Sequence, residues 1–328
     1  MRWVDQGNLY LPASVNMAIQ EYLLGKGSDE DYIFFYVNEP SVIIGRYQNA
    51  WEEVDEAYCR KEGIQVVRRL SGGGAVYTDR GNLNYSFITR DEGESFMNFR
   101  RFIQPVAEAL RALGVPAEVT GRNDIQVGER KISGNAQYAS GGRLMTHGTL
   151  TLSLDLERMQ RALTPKAEKF QSKSTKSVRA RVANIQEFLK EPMDVEALRA
   201  HLLRHIFRGS SAEPYRLTEE DWRKIRKLVK ERYENWEWNF GRSPAFNAQV
   251  SRRVEGVGTV DVRLWVKDGI IESCTIYGDF FGHRPLEELE KLLIGKPYRK
   301  EDLAKVLAGV EVSRYIGGLS REDFLELL

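Results

Sequence analysis

The chain has 328 residues, of which 42% are hydrophobic and 29% are charged. This composition is typical of a soluble globular protein, and the length predicts two domains, one large and one small. Lysine and arginine number 48 against 47 acidic residues, a net charge of +1, so no global charge predicts binding to nucleic acid or to a membrane. The chain has no signal-peptide core, no apolar run of about 18 residues and two distant cysteines, Cys59 and Cys274. We therefore expect a cytoplasmic protein without a disulfide framework or a metal knuckle.

The predicted elements alternate between helices and strands over the first half of the chain. Apolar residues at helical spacing predict a helix over residues 14–24. Further helices are predicted near residues 51–61 and over residues 99–113, where Pro105 implies a kink or a late start. Strands are predicted at the remaining apolar runs, which are residues 32–37, 41–46, 64–69, 84–89, 124–127, 131–138 and 147–154. This order favours an α+β or mixed α/β domain.

A change of composition near residue 245 predicts a domain boundary. The segment before it ends in Gly241, Ser243 and Pro244, residue types that are typical of a linker. Beyond it, alternating apolar residues around a turn at Asp268-Gly269 predict a hairpin, which short helices follow. We therefore divide the chain into a large domain of residues 1–245 and a small domain of residues 246–328 that folds separately.

A glycine-rich segment between two predicted strands carries the strongest functional signal. It reads Arg68-Arg69-Leu70-Ser71-Gly72-Gly73-Gly74-Ala75-Val76-Tyr77. Consecutive glycines can take positive φ and turn their N–H groups toward an anion, and the two arginines offer donors for a phosphate or a carboxylate. The alternative is a flexible connection with a solvated arginine pair. Because a tight polar turn, Asp79-Arg80-Gly81-Asn82, follows, we favour an anion cradle, although the segment lacks the Gly-Lys-Ser/Thr ending of a Walker loop.

A second segment, residues 121–135, predicts a hairpin with a two-residue turn at Gly128-Glu129. In that register Gln126 pairs with Lys131 and Asp124 pairs with Ser133, so these four side chains share one face. A lysine and an acid on one face suit a nucleotide phosphate and its magnesium ion. The alternative is a surface hairpin with a solvated lysine. A change of one residue in the loop would put Asn123 on that face in place of the aspartate.

Together these segments resemble the bacterial lipoate–protein ligases. The shared motifs are Ser-Gly-Gly-Gly-Ala-Val-Tyr and Gly-Asn-Leu-Asn-Tyr-Ser-Phe within residues 68–87, Lys-Ile-Ser-Gly-Asn within 121–137, and His-Gly-Thr-Leu at 147–150. The resemblance continues through residues 173–184 to Trp236-Glu237-Trp238 and residues 277–282, and so spans nearly the whole chain. It implies an α+β fold, in which a large mixed-sheet catalytic domain of the biotin/lipoate ligase type precedes a small α+β accessory domain.

The resemblance also implies roles for individual residues. Lys131 is expected to be the catalytic lysine, which contacts the lipoyl carbonyl and the α-phosphate, and His147 is expected beside it at lipoate. The expected site for ATP and lipoyl-adenylate comprises Arg69, Ser71, Gly72, Gly73, Gly74, Ala75, Val76, Tyr77, Asn123, Asp124, Lys131 and Ser133. A loop that closes over the adenylate is expected to contribute Lys173, Ser177, Val178, Arg179 and Arg181. Thr78 and Thr146 stand where many relatives have histidine, which concerns pocket detail more than the reaction type.

By this resemblance the chain is an ATP-dependent lipoate–protein ligase. Lipoic acid is activated to lipoyl-AMP with release of pyrophosphate. The lipoyl group then passes to a lysine of the lipoyl-carrier domains of 2-oxoacid dehydrogenase complexes or of the glycine cleavage H protein. ATP is the co-substrate, and Mg²⁺ is expected with it, held by Asp124. A fixed ammonium at Lys131 is expected to stabilise each transition state by about 3–4 kcal/mol. Neither nucleic acid nor a membrane is an expected partner.

Three other functions can be weighed against parts of the sequence. An octanoyl or lipoyl transferase of the same fold moves the acyl group through a thioester and needs a cysteine that faces the lysine. The chain has no cysteine between residues 60 and 273. A non-catalytic lipoate-binding module would consume no ATP, and the intact Lys131 and the accessory domain count against it. A biotin ligase would carry a Gly-Arg-rich loop in place of the three glycines. We therefore favour the ligase.

Overall fold

The computed structural model describes residues 1–27, 30–91, 93, 96–163, 182–208, 213–241 and 247–328. These residues form two compact units. The first unit consists of Met1–Ile44, Ala50–Arg68 and Ala75–Asn239, and the second of Gly45–Asn49, Arg69–Gly74 and Phe240–Leu328. Most of the glycine-rich segment therefore packs with the C-terminal part of the chain, an association that the sequence did not predict.

The strands are numbered in chain order. They are β1 Arg2–Asp5, β2 Tyr10–Leu11, β3 Tyr32–Asn38, β4 Ser41–Ile44, β5 Gln65–Arg68, β6 Val76–Thr78, β7 Asn82–Arg90, β8 Glu118–Thr120, β9 Asp124–Val127, β10 Arg130–Ser140, β11 Arg143–Thr151, β12 Pro214–Arg216, β13 Ala248–Val254, β14 Gly258–Lys267 and β15 Ile270–Gly278. The α-helices are α1 Ala13–Gly25, α2 Ala50–Glu53, α3 Glu56–Lys61, α4 Arg100–Ala112, α5 Leu156–Ala162, α6 Val195–Ile206, α7 Glu219–Leu228, α8 Trp236–Asn239, α9 Leu286–Leu293, α10 Lys300–Val306 and α11 Arg321–Leu325.

A mixed sheet forms the centre of the first unit. Within the described ranges its strand order is β12-β1-β3-β7-β11-β10-β9-β8, and β2 also pairs with β3. Strand β1 pairs parallel with β12 and β3, and β2 pairs parallel with β3. From the β3–β7 pair to the β9–β8 pair, all neighbouring strands are antiparallel. Every residue of β3 is buried, as expected for a central strand with helices on both faces. This is the mixed-sheet α+β architecture that was predicted.

Helices cover both faces of this sheet. On one face, Gln20 of α1 donates to the hydroxyl of Tyr36 at 3.0 Å, and Tyr36 is paired with Asn84 of β7. On the other face, the ring of Phe102 in α4 packs against Phe87 of β7, with 6.0 Å between ring centroids. Because successive residues of a strand point to opposite faces, the even-numbered residues of β7 lie on the α1 face and the odd-numbered ones on the α4 face.

A smaller sheet of the first unit leads into and out of the glycine-rich segment. Strand β4 lies between β5, which runs parallel to it, and β6, which runs antiparallel. Strand β5 ends at Arg68 and β6 begins at Val76. Residues 69–75 therefore connect the ends of two strands that are both paired with β4.

The C-terminal unit contains the three-stranded antiparallel sheet β13-β14-β15. The predicted alternation of β14 is confirmed, because Val260, Val262 and Leu264 are buried in one core with α9, α10 and α11. Asp261 and Arg263 occupy the other face, where they form a buried ion pair of 2.9 Å. The predicted turn at residues 268–269 joins β14 to β15.

Two of the predicted helices differ in detail from the structure. The helix predicted over residues 51–61 is divided into α2 and α3, because Asp55 caps α3 by accepting from the N–H of Tyr58 at 2.9 Å. Helix α4 begins at Arg100, well before Pro105, so the proline lies inside the helix and does not mark a late start. Among the described residues, no helix is both long and apolar enough to cross a bilayer.

Candidate active site

Lys131 lies near the start of β10, beside a bulge in the β9–β10 hairpin. It pairs with Gln126 as predicted, but the register then shifts, so that Gly134 rather than Ser133 pairs with Asp124. The extra residue of a bulge reverses the alternation of the side chains that follow it. The prediction that Ser133 shares a face with Lys131 is therefore wrong. The Ser133 hydroxyl accepts instead from the side-chain amide of Asn135 at 3.2 Å.

Asp124 holds the ammonium of Lys131. The Lys131 Nζ lies 2.8 Å from Asp124 Oδ1, and the two side chains are 38% and 26% exposed. Gly134 makes room for this pair, because a Cβ there would lie only 2.7 Å from Lys131 Nζ. An ammonium has three N–H donors, and Asp124 accepts from one of them. The group is thus a fixed positive charge that is accessible to a ligand.

His147 lies on the same face of the sheet as this ion pair. Gly134 and Ala136 are two residues apart and so point to one face, and Ala136 pairs directly with His147. His147 is 8% exposed and is paired in turn with Ser86 of β7. The two residues that were predicted at lipoate therefore lie on one face of the sheet.

Two buried polar atoms on this face lack hydrogen-bond partners. Within the described residues, neither Ser86 Oγ nor Asn82 Oδ1 makes a hydrogen bond, whereas nearly all buried polar groups in proteins do. Both lie on the α1 face of β7, as does His147 on the neighbouring strand. Neither residue was among the site residues predicted from the sequence. The signal was the alternation of Asn82, Asn84 and Ser86 with large apolar residues, which indicates a polar face on an otherwise apolar strand.

The remaining hairpin residues have structural partners. The backbone carbonyl of Asn123 accepts from the side-chain amide of Asn135 at 3.0 Å. Thr146 accepts from Gln137 at 2.9 Å and is paired with Phe87, so it lies on the α4 face, opposite to His147. The replacement of a histidine by Thr146 therefore leaves the face of Lys131 unchanged.

The backbone of Lys131 is hydrogen-bonded to residues that follow position 181. Val182 forms a parallel bridge with Lys131, and the N–H of Ala183 donates to the Lys131 carbonyl at 2.9 Å. The predicted closing-loop residues Lys173, Ser177, Val178, Arg179 and Arg181 lie outside the described residues. Val182 and Ala183 are the first described residues after this segment.

The glycine-rich loop, residues 69–75, is closely packed at Gly72 and Gly73 and open at Gly74. The N–H of Gly73 donates to the carbonyl of Phe280 at 3.0 Å, and a Cβ at Gly72 would collide with that carbonyl. Gly73 has a φ of +91°, which favours glycine. Gly74 is exposed, and a Cβ there would meet no atom within 4 Å. Among the three glycines, Gly74 is thus the exposed one with open space beside its backbone, and the half-buried Ala75 follows it.

Both arginines beside the glycines donate to backbone carbonyls. The Arg69 Nη2 donates to the carbonyls of Gly72 at 2.7 Å and Gly74 at 2.9 Å, and its Nε donates to the buried Ser71 hydroxyl at 3.0 Å. Arg68 donates to the carbonyl of Asn239 at 2.9 Å. In this structure both guanidinium groups donate to carbonyls of the protein backbone. The sequence predicted them as donors to a phosphate or a carboxylate instead.

Strand β6, which follows the glycine-rich loop and carries the predicted nucleotide-binding residues Val76 and Tyr77, is largely buried. Val76 is half-buried and Tyr77 is buried, and burial raises the pKa of the Tyr77 hydroxyl. Thr78 accepts from Asn38 at 3.0 Å. The predicted polar turn forms as expected, with Asp79 accepting from the N–H of Gly81 at 2.9 Å, and burial raises the pKa of the Asp79 carboxyl.

The described residues do not form a built metal site. Among them, no group of three or more histidine, cysteine or acidic side chains could hold an ion. Asp124, the predicted magnesium ligand, is paired with Lys131 at 2.8 Å. A dication at that carboxylate would lie beside an ammonium and be repelled by it. The arrangement fits a charge pair better than a metal ligand.

Comparison with known families shows two matches that together cover most of the chain. Residues 12–207 match the family model of the lipoyl protein ligase A/B catalytic domain. Residues 243–328 match that of the bacterial lipoate protein ligase C-terminus. The chain is also 51% identical to the lipoate–protein ligase LplJ of Bacillus subtilis, with 100% of both chains covered.

Solved structures of the same kind share the fold. LipL1 of P. falciparum, solved in complex with lipoate, has a TM-score of 0.80 at 21% identity, covering 99% of this chain and 96% of that one. A lipoate–protein ligase A solved with ATP has a TM-score of 0.63 at 30% identity, covering 73% and 98%. A bipartite ligase of Thermoplasma acidophilum, described with its E2 lipoyl domain, has a TM-score of 0.66 at 32% identity, covering 75% and 98%.

Proposed function

This chain belongs to the lipoate–protein ligase family, and we propose that it activates lipoate with ATP and attaches the lipoyl group to a lysine of an acceptor protein. It is accordingly an enzyme, and a ligase. The observation that carries the proposed mechanism is the ammonium of Lys131, which Asp124 fixes at 2.8 Å on the face that also carries His147.

In the first step a carboxylate oxygen of lipoate attacks the α-phosphorus of ATP. The bond from that phosphorus to the pyrophosphate oxygen breaks, which leaves lipoyl-AMP and pyrophosphate. Negative charge develops on the α-phosphate oxygens in the transition state. Lys131 stabilises that charge, and because Asp124 already holds the ammonium, little reorganisation is needed. The loop at the exposed Gly74 and the half-buried Ala75 is proposed to turn its N–H groups toward the phosphate oxygens.

In the second step the amine of the acceptor lysine attacks the carbonyl carbon of lipoyl-AMP. The carbon–oxygen bond to AMP breaks, an amide forms, and the amine loses a proton to solvent. Charge now develops on the carbonyl oxygen, which the same ammonium stabilises. His147 and the unpartnered atoms of Ser86 and Asn82 offer the polar contacts of the acyl pocket. No protein nucleophile takes part.

The segment that precedes Val182 is proposed, on the family resemblance, to close over the adenylate. The N–H of Ala183, the next residue in the chain, donates to the Lys131 carbonyl. Closure of this kind excludes water from a reactive acyl phosphate. We assign this role to Lys173, Ser177, Val178, Arg179 and Arg181, as the family resemblance implies.

Mg²⁺ is proposed to enter with ATP. Magnesium in nucleotide enzymes is bound largely by substrate phosphates and water, with one or two carboxylates. Since Asp124 is engaged by Lys131, we assign no mechanistic step to a metal at that carboxylate. Removing Mg²⁺ with a chelator is expected to weaken ATP binding without lowering the stability of the free protein.

The proposed acceptors are the lipoyl-carrier domains of 2-oxoacid dehydrogenase complexes and the glycine cleavage H protein. The pairing of the Thermoplasma ligase with an E2 lipoyl domain supports the first of these. We place the reaction in the cytoplasm, where ATP and these complexes occur together. Each purified carrier can be incubated with the enzyme, ATP and lipoate. An increase in the carrier's mass by one lipoyl group, measured by mass spectrometry, would show which carriers are modified.

The transferase alternative is disfavoured by the two cysteines. Both are buried, and burial raises the pKa of the Cys59 thiol to about 11. Because the thiolate is the nucleophilic form, this raised pKa keeps Cys59 mainly as the thiol at neutral pH. Cys274 packs in the core of the C-terminal unit. Neither residue has the environment of an acyl-carrying thiol.

Lipoate-dependent exchange of labelled pyrophosphate into ATP tests the proposal. Lys131→Ala is expected to lower the exchange rate by at least about a hundredfold, the cost of removing one preorganised donor. Arg130→Ala is the matched control, because Arg130 is adjacent in sequence and engages Glu187 at 2.8 Å. Near-normal exchange in folded Lys131→Ala would contradict the proposed role, and an equal loss in both variants would point to damage to the strand.

A further inference from the structure

Residues 45–49, here called the tyrosine turn, belong by sequence to the first half of the chain but pack in the C-terminal unit. The turn follows β4 directly and is closed by its own hydrogen bonds. The N–H of Gly45 donates to Gln48 Oε1 at 2.8 Å, and the N–H of Gln48 donates to the Gly45 carbonyl at 3.2 Å. It is therefore a defined turn with one side chain, Tyr47, near its tip.

One side of the tyrosine turn contacts the glycine-rich loop. The N–H of Arg46 donates to the carbonyl of Ser71 at 2.8 Å. A Cβ at Gly45 would collide with the carbonyl of Gly73, so the two backbones approach more closely than a side chain at residue 45 would permit. A shift of the turn would therefore move the glycine-rich loop.

The other side of the turn is inserted in the C-terminal core. Tyr47 is 4% exposed, and its ring stacks on Phe280 with 5.3 Å between centroids and 18° between planes. The carbonyl of Tyr47 accepts from the N–H of Gly278 at 2.9 Å. The neighbouring Arg46 forms an ion pair with Glu287 of α9 at 3.2 Å. Tyr47 thus anchors the turn to the end of β15 and to the residues that follow it.

Phe280 contacts both the glycine-rich loop and the tyrosine turn. Its carbonyl accepts from the N–H of Gly73, and its ring stacks on that of Tyr47. The glycine-rich loop is thereby held at Ser71 by the turn and at Gly73 by Phe280. These two contacts are linked to each other, because Tyr47 of the turn stacks on Phe280. The loop continues beyond them to Gly74, which is exposed and has open space beside its backbone, and to the half-buried Ala75.

We propose that Tyr47 is a positioning residue for the nucleotide: by stacking on Phe280 it fixes where Gly74 and Ala75 present their backbone to phosphate. The proposal rests on the proposed function, since it assumes that this loop binds ATP. A displacement of about 1 Å in a binding group can cost a hundredfold in rate, so loosening this support is expected to matter. Tyr47 itself touches no substrate.

A purely structural role makes a different prediction. If Tyr47 only fills the core, its loss lowers the melting temperature and the amount of active enzyme, and leaves KM for ATP unchanged. Phe324 of α11 is the matched control, because it is fully buried in the same core and is remote in sequence from both loops. Phe324→Ala removes a similar aromatic group from that core.

The experiment measures kcat and the KM values for ATP and lipoate in pyrophosphate exchange, below the melting temperature of each variant. Tyr47→Ala is expected to raise KM for ATP about tenfold, while KM for lipoate stays within about twofold. Tyr47→Phe, which keeps the ring, is expected to restore the wild-type KM, and Phe324→Ala to retain it. If Tyr47→Ala does not fold, Tyr47→Leu keeps the apolar bulk without the stacked ring and carries the same expectation.

An unchanged KM for ATP in Tyr47→Ala or Tyr47→Leu would overturn the proposal, and so would an equal rise in Phe324→Ala. These outcomes differ from a failure of the proposed function. If the wild type shows no lipoate-dependent exchange, the ligase mechanism itself fails. If the wild type exchanges normally and the Tyr47 variants match it, only the positioning role fails.

Discussion

Substituting alanine for Gly134 tests the geometry of Lys131 without removing its charge. An added Cβ would lie 2.7 Å from the Lys131 Nζ and 2.8 Å from its Cε. Carbon atoms in contact prefer a separation of at least about 3.5 Å, so the Cε must retreat by about 0.7 Å or more. The side chain is flexible at its end and can do this, but only by leaving the position in which Asp124 holds it.

The expected consequence is a loss of activity with little loss of stability. Misplacement of a catalytic group by about 1 Å can cost about a hundredfold in rate, and we expect a loss between about tenfold and a hundredfold in pyrophosphate exchange. The ion pair is partly exposed, and pairs of this kind contribute at most about 1 kcal/mol to stability. Gly134 has no positive φ, so alanine introduces no backbone strain.

Thermal unfolding and exchange kinetics of the same preparation separate these effects. Gly25→Ala is the control, since a Cβ at Gly25 would meet no atom within 4 Å and the residue lies at the end of α1. Wild-type exchange by a folded Gly134→Ala enzyme would refute the reasoning, because it would mean that the position of the ammonium does not matter. A melting temperature far below that of the control would mean that the methyl group is not accommodated by movement of Lys131.

Three further predictions concern the thiols, an acid-sensitive carboxylate and the C-terminal unit. Replacing Cys59 and Cys274 with serine is expected to preserve acyl transfer, and a trapped acyl-cysteine in the wild type by mass spectrometry would favour the transferase. Although burial alone raises the pKa of Asp221, hydrogen bonds from two tyrosines and a backbone N–H outweigh it and lower that pKa. Its contribution to stability is therefore present above about pH 4 and lost in acid. Asp221→Asn should lower stability at neutral pH by roughly 2 kcal/mol and flatten its acid dependence in urea titrations; an unchanged profile would refute this. A chain that ends near Asn247 lacks Phe280, so it should lose adenylation far more than transfer from ready-made lipoyl-adenylate, and equal losses in the two half-reactions would contradict that.

The sequence was sufficient where one local pattern determined the structure. Helix α1 begins and ends within one residue of its prediction, because its apolar spacing is helical and Pro12 precedes it. The alternation of β14 and the turn after it were predicted for the same reason. Lys131 and Asp124 were also placed on one face correctly, since the Gly128-Glu129 turn fixes the pairing next to it.

The sequence was insufficient where a structure depends on distant residues. The bulge between Lys131 and Ser133 leaves both Ile125 and Ile132 fully buried, and a local reading of the hairpin could not weigh that burial. Strand β13 was missed because nearly all its residues are exposed and show no apolar alternation. The partner of Gly73 is Phe280, which is about two hundred residues away in sequence, so the packing of the glycine-rich loop could not be read from the loop itself.

The central claim is that the carboxylate of lipoate is activated as a mixed anhydride with AMP. Lipoate labelled with ¹⁸O in its carboxylate tests this most directly, with an acceptor carrier protein present and AMP analysed by mass spectrometry after transfer. Attack on the α-phosphorus followed by cleavage of the carbon–oxygen bond moves one labelled oxygen into AMP, and we predict AMP that carries this label in an amount equal to the lipoylated lysine formed. Lipoylation with unlabelled AMP, or without ATP, would contradict the account.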